Sequence, residues 1–213
     1  YEKATQAMVP FYFSGVTVDP WYHSFALGDF DTAINNTLKI IESDPLSFFN
    51  QYLLSCIYTW GKRPEKARVV LEKMLLMVPN YSEAHRLMAY NSFIEGDSKR
   101  AVAEARKAVE VAEGLGWTQI TLSIALAQNE QTEEAKEILK KLRASRSKVK
   151  ISPLGIGLIF TYLHDFDNAF KYLEKAIEYK DIWLVSLKYG PEYDPLRSDP
   201  RFDALLEQIG YPD

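Results

Sequence analysis

The chain of 213 residues holds a single cysteine, Cys56, which excludes an internal disulfide and a cysteine-built metal site. Histidine is nearly as scarce. His23, His85 and His164 lie far apart without ligand spacing, so no metal centre is expected. A basic excess is missing as well: 25 Lys and Arg face 29 Asp and Glu, for a net charge of −4. The electrostatic footprint of a general nucleic-acid binder is therefore absent. No apolar run reaches the roughly 18 residues of a membrane span, and no membrane insertion is expected. No signal peptide opens the chain, and it starts on Tyr1 rather than Met, so it reads as a piece of something longer or a processed form. The glycine pairs Gly114-Leu115-Gly116 and Gly155-Ile156-Gly157 lack the preceding strand of a phosphate loop. No carboxylate pair stands out as an acid/base couple, and Ser55 and Ser123 occupy packing positions. Neither a catalytic residue nor a cofactor is expected.

What the chain does have is a period. Ala33, Ala67, Ala101, Ala135 and Ala169 follow one another at intervals of 34 residues, the spacing of a helix–turn–helix repeat. Ahead of the last four comes a large apolar residue and then a small one: Leu54-Ser55, Met88-Ala89, Leu122-Ser123 and Ile156-Gly157. A small residue is needed where two helices cross closely, since bulk would push them apart. Ile40, Met74, Ala108, Leu142 and Ala176 keep the same register after the alanines. Apolar residues make up 47% and aromatics 13%, ample for a continuous core rather than a disordered chain.

The phase predicts an all-α, right-handed α-solenoid superhelix of about five hairpins with a C-terminal capping helix. It forms one domain over 1–213: an irregular part at 1–20, repeats at 21–181 and a cap at 182–213. Residues 1–8 are expected to be a helical remnant, followed by an irregular link and a shortened helix from Pro20. The third unit should place helices at about 82–95 and 98–112, with Ser82 as N-cap and Gly96-Asp97 as the turn. Gly28-Asp29 and His164-Asp165 hold that turn position elsewhere, and Pro64 opens a helix where its missing N–H costs nothing. Near the end, Asp199 should cap a last helix, with Pro200 at its first position and Gly210 after it. The basic run Lys140, Lys141, Arg143, Arg146, Lys148 and Lys150 reads as a solvated connection complementing a helix dipole, with docking of an acidic partner surface or nucleic acid as the alternative.

Leu54-Ser55, Tyr58, Ala67, Leu71, Met74 and Pro79, set in this phase, resemble the tetratricopeptide repeat. The closing proline survives only at Pro45 and Pro79; Glu113, Ser147 and Asp181 replace it later. The last 50 or so residues are more particular. Phe166-Asp167-Asn168-Ala169-Phe170, Tyr172-Leu173-Glu174-Lys175-Ala176, Trp183-Leu184 and Asp194-Pro195-Leu196-Arg197-Ser198-Asp199-Pro200-Arg201-Phe202 resemble the C-terminal region of bacterial multidomain signalling proteins. In those, a repeat array follows an adenylate/guanylate cyclase, a serine/threonine kinase or a winged-helix regulator.

The resemblance implies a non-catalytic interaction or sensory module, cytoplasmic, that binds a protein or peptide segment or self-associates as a homodimer. The family's concave groove maps onto Phe49, Tyr52, Cys56 and Trp60, then Glu83, Arg86, Tyr90 and Phe93. It continues through Trp117, Ile120 and Ile124 to Leu154, Leu158 and Tyr162. Large flat side chains with polar tips suit a binding hot spot, though helical spacing alone also produces such stripes in a core. Tyr52 and Cys56 stand where chaperone-binding members carry lysine and asparagine, which argues against that role and for an apolar or mixed ligand segment. Two alternatives stay open: a free-standing scaffold or periplasmic assembly factor, and a part of an enzyme in which the repeats select the substrate.

Overall fold

A computed structural model describes residues 20, 22–112, 116–145 and 151–211. The expected remnant at 1–8 and the link after it lie outside the described residues, as do Arg146, Lys148 and Lys150. Ten α-helices and no strand occur among the described residues. We number them α1 Phe30–Ser43, α2 Phe48–Trp60, α3 Pro64–Met77, α4 Ser82–Ile94, α5 Ser98–Val111, α6 Trp117–Gln128, α7 Thr132–Ala144, α8 Pro153–Tyr162, α9 Phe166–Glu178 and α10 Pro200–Ile209. The first hairpin is shortened as expected: a five-residue π-helical turn, Tyr22–Ala26, takes the place of its first helix. The hairpins α2/α3, α4/α5, α6/α7 and α8/α9 then follow.

The period has a direct physical basis. All five in-phase alanines are 0% exposed, and at two of them the contact with the partner helix of the hairpin is direct. Ser123 Oγ donates to the Ala135 carbonyl at 3.0 Å. At the equivalent crossing, a Cβ on Gly157 would sit 3.2 Å from the Ala169 carbonyl oxygen. The small residue is thus required by backbone touching side chain, not by propensity, since glycine is a poor helix former.

Each hairpin turn repeats one hydrogen-bond pattern. The N–H groups of Arg63, Asp97, Gln131 and Asp165 donate to the carbonyls of Tyr58, Ser92, Leu126 and Phe160. Those of Lys62, Gly96, Glu130 and His164 donate to Thr59, Phe93, Ala127 and Thr161. This pair of bonds closes a helix around a left-handed residue. Left-handed φ values recur in phase at Gly28 (70°), Lys62 (56°), Gly96 (78°), Glu130 (61°) and His164 (59°). Asp29, Asp97 and Asp165 follow three of these turns and accept from the backbone N–H groups of Thr32, Arg100 and Asn168. One cap differs from the expectation. Ser82 is the first helical residue, and Tyr81, without a side-chain cap bond, precedes it. The phase puts the cap at Ser47, which accepts from the Asn50 N–H, and 34 residues on at Tyr81, whose ring packs edge-on against Phe48.

The first helices of successive hairpins pack on one another, α2 on α4, α4 on α6 and α6 on α8, and so form one continuous wall. After α9 the chain leaves the repeat. Lys180 turns it (φ 52°), and two short 3₁₀ segments follow, Ile182–Ser186 and Pro191–Leu196. Asp199 caps α10 by accepting from Arg201 N–H, Pro200 is its first residue, and Gly210 (φ 70°) closes it.

Candidate functional site

Rings run along the wall formed by the first helices. Phe25 lies 5.5 Å from Trp60, Trp60 5.9 Å from Tyr90, Tyr90 5.6 Å from Phe93, and Phe93 4.9 Å from Tyr162. Four of the predicted groove residues, Trp60, Tyr90, Phe93 and Tyr162, thus join into one aromatic line from the second hairpin to the fifth. Beside it, Tyr52, Glu83 and Arg86 make a polar cluster. Arg86 Nε donates to Glu83 Oε2 at 2.8 Å, and Arg86 Nη2 donates to the Tyr52 hydroxyl at 2.7 Å. Cys56 is buried against this cluster, and burial pushes its thiol up to about 12, which disfavours the thiolate.

The remaining predicted residues fall elsewhere. Phe49 is 50% exposed and stands off the line. Ile120 and Leu158 are core: the Ile120 side chain fills the space a Cβ would need at Gly155, where α8 crosses α6. Leu154 and Ile124 are buried in the same cluster. Trp117 pairs with Trp183 of the tail, 5.5 Å away, and not with the wall rings.

The wall is not open. The tail segment Ile182–Leu196 lies across it as a strap. Trp60 Nε1–H donates to Glu192 Oε1 at 3.1 Å, and the Tyr162 hydroxyl donates to the Glu192 carbonyl at 3.0 Å. Tyr193 is fully buried, with its hydroxyl 3.3 Å from Ser186 Oγ. At the rim, Lys62 Nζ is 3.6 Å from Asp194 Oδ2, and the Tyr189 ring stands edge-on to Phe30. A side chain at Gly28 would strike that same Tyr189 ring. A hollow of 340 Å³ remains where Phe30, Trp60 and Lys62 meet Tyr189, Asp194 and Arg197.

Glu192 is the residue that sequence reasoning missed. Its side chain is 3% exposed, and burial raises its carboxyl to about 7 against Trp60, Tyr90 and Arg197, which favour the ionised form. The Tyr90 hydroxyl faces this carboxyl, yet Oε2 is buried without a well-formed hydrogen bond. Gly190 is required beside it, since a Cβ there would lie 2.6 Å from Oε2. The only sequence signal was an acidic residue among aromatics after Gly190-Pro191, and nothing periodic marks it. The run that follows it in the chain serves the strap's own fold. Arg197 donates to the carbonyls of Lys188 and Gly190 and to Asp194, while Arg201 stacks over Phe170 at 4.2 Å.

His85 is structural, held between Glu104 and the Pro79 carbonyl. Among the described residues no group of His, Cys, Asp and Glu could hold a metal ion, and no helix is long and apolar enough to cross a membrane.

Residues 154–181, the α8/α9 hairpin with its flanking turn, match the family model of the tetratricopeptide repeat. No curated protein sequence matches the chain significantly. Among solved structures, it is similar to TTC0263, a thermophilic repeat protein of this kind from Thermus thermophilus. The TM-score is 0.60 at 13% identity, over 96% of this chain and 99% of that one. MamA is 21% identical over 82% of this chain and 100% of its own, with a TM-score of 0.49. A repeat protein of Parabacteroides merdae is 14% identical over 96% of this chain and 79% of its own, with a TM-score of 0.48. The fifth hairpin thus carries the tetratricopeptide sequence signature, and the chain as a whole shares its fold with a solved repeat protein of that kind.

Proposed function

We propose that this protein is a non-catalytic interaction module whose inner wall, built from the first helices of its hairpins, holds a segment of polypeptide. One observation carries the reading: the wall already holds such a segment, the strap Ile182–Leu196, through Trp60, Tyr162 and Lys62. Flat aromatic side chains with a donor at the tip give large contact area at low entropic cost, which suits segment recognition. Burial disfavours the Cys56 thiolate, and Arg86, Glu83 and Tyr52 are paired with one another.

The finer setting rests on the tail's resemblance alone: a cytoplasmic C-terminal part of a bacterial signalling protein, such as an adenylate cyclase. A partner segment or a second copy would then be coupled to an upstream effector.

Peptide selection on the immobilised full chain tests the reading. Enriched sequences should be retained by the native protein and lost by Tyr90→Ala combined with Tyr162→Ala, with helicity by circular dichroism unchanged. Equal retention by the double variant overturns the assignment to the wall.

A further inference from the structure

The strap reveals what chemistry its seat accepts. Among the described residues, the wall groups that bond the strap do so as donors: Trp60 Nε1–H, the Tyr162 hydroxyl and, at the rim, the Lys62 ammonium. The Tyr90 hydroxyl faces the Glu192 carboxyl from α4. The acidic residue nearby on the wall, Glu83, is already taken up by Arg86 and Tyr52. A donor-lined seat in a buried aromatic wall selects a side chain that can accept several hydrogen bonds, as a carboxyl group does, and excludes an ammonium, which can only donate.

The strap fills this seat imperfectly. Glu192 Oε2 is buried without a well-formed hydrogen bond, and an open hollow of 340 Å³ lies at the strap's edge beside Trp60 and Tyr189. The strap consists of 3₁₀ turns, whose hydrogen-bond geometry is poorer than that of an α-helix.

We infer that the inner wall is the docking site for an acidic polypeptide segment, whose glutamate takes the seat between Trp60 and Tyr90 that Glu192 now occupies, so that strap and partner compete. The inference rests on the interaction reading above and adds the partner's chemistry to it. The partner is a glutamate followed by an aromatic residue and a second acid, the order Glu192-Tyr193-Asp194 that the strap itself displays. An intramolecular strap sets a threshold: a partner must outbind a segment already tethered at high effective concentration.

The test uses fluorescence anisotropy with a labelled peptide of residues 187–197 and the full chain. Glu192→Lys loosens the strap and leaves the wall intact, because an ammonium cannot accept from Trp60 and Tyr90. Where that variant loses native helicity, Tyr189→Ala, which removes the ring from Phe30, takes its place. The loosened chain should bind the peptide about tenfold or more tightly than the native chain does. It should bind a peptide with lysine in place of the glutamate about tenfold or more weakly, the worth of one hydrogen bond to a charged group. Equal binding of both peptides overturns the acidic chemistry while leaving the wall as a docking site. Binding of neither by the helical, loosened chain overturns the interaction reading itself. Native chain binding as tightly as the loosened one removes the strap as competitor. A native dimer in sedimentation, dissolved by the peptide, makes a second copy the occupant and overturns the choice of a separate partner.

Discussion

Trp60 and Glu192, 132 positions apart in sequence, meet across 3.1 Å between indole N–H and carboxylate oxygen. The bond ties the second hairpin to a segment that follows the fifth, and so closes the inner wall with the chain's own tail.

Stability should fall as pH rises toward neutrality. Glu192 sits near 7 in the folded chain, above its ordinary 4.5. It is faced by Trp60, Tyr90 and Tyr162 from the wall, and by Tyr193 and Arg197 from the tail. The folded state keeps this proton where the unfolded chain has released it. The contribution is therefore fully present below 4.5, is lost between 4.5 and 7, and is flat above. At ~1.4 kcal/mol per unit the loss is about 3 kcal/mol. Urea unfolding at pH 5 and pH 8 should show a drop larger by most of that amount, about 2–3 kcal/mol, in the native chain than in Glu192→Gln. Equal drops would contradict the burial of this carboxyl.

Gly157→Leu should destabilise the chain by about 1–3 kcal/mol, the range for overpacking a filled site. The added side chain meets the Ala169 carbonyl and Leu173, and backbone cannot yield as a flexible side-chain end can. Chemical denaturation measures the change. A loss below about 0.5 kcal/mol, the level of a surface substitution, would mean that the α8/α9 crossing is looser than described.

Glu130→Gly should stabilise. Glu130 holds φ at 61°, where a side chain costs roughly 1 kcal/mol and glycine costs nothing sterically. Its N–H donates to the Ala127 carbonyl, and that bond survives the change. Part of the gain is offset by glycine's larger unfolded-state entropy. A net rise of about 1–2 °C in the melting temperature is expected. A fall would show that the glutamate side chain does more than tolerate the turn.

Arg197→Lys should loosen the strap although the charge is kept. The guanidinium reaches the carbonyls of Lys188 and Gly190 and the Asp194 carboxylate at once, and an ammonium lacks that planar fork. Hydrogen exchange should quicken about tenfold or more at amides 184–197, the worth of one lost bond, and stay unchanged in α5. Uniform acceleration would mean global destabilisation instead.

Most of the scaffold was legible because repetition imposes it locally. Ala33 through Ala169 mark one helix crossing, and Gly28, Gly96 and His164 mark one turn, so each unit restates the others. Where the signal was a single residue type it failed by a step, as at Ser82, because the cap position follows the phase and belongs to Tyr81. The family's groove positions named Trp60, Tyr90, Phe93 and Tyr162, which the fold sets in one line of rings, but position in a repeat cannot separate a residue facing a groove from one facing the next helix, as Ile120 and Leu158 do. Glu192 was illegible for a different reason. Its environment is assembled from α2, α4 and α8, none of them near it in sequence, and no local propensity records such a contact.

A double-mutant cycle between Trp60→Phe and Glu192→Met at pH 8 tests the closure most directly, since each change removes one side of the bond and keeps an apolar body of similar size. We expect a coupling energy of about 1–3 kcal/mol in chemical denaturation, the value of a buried hydrogen bond to a charged group. Additivity within about 0.5 kcal/mol would mean that tail and wall do not meet, and the strap with everything drawn from it would fall.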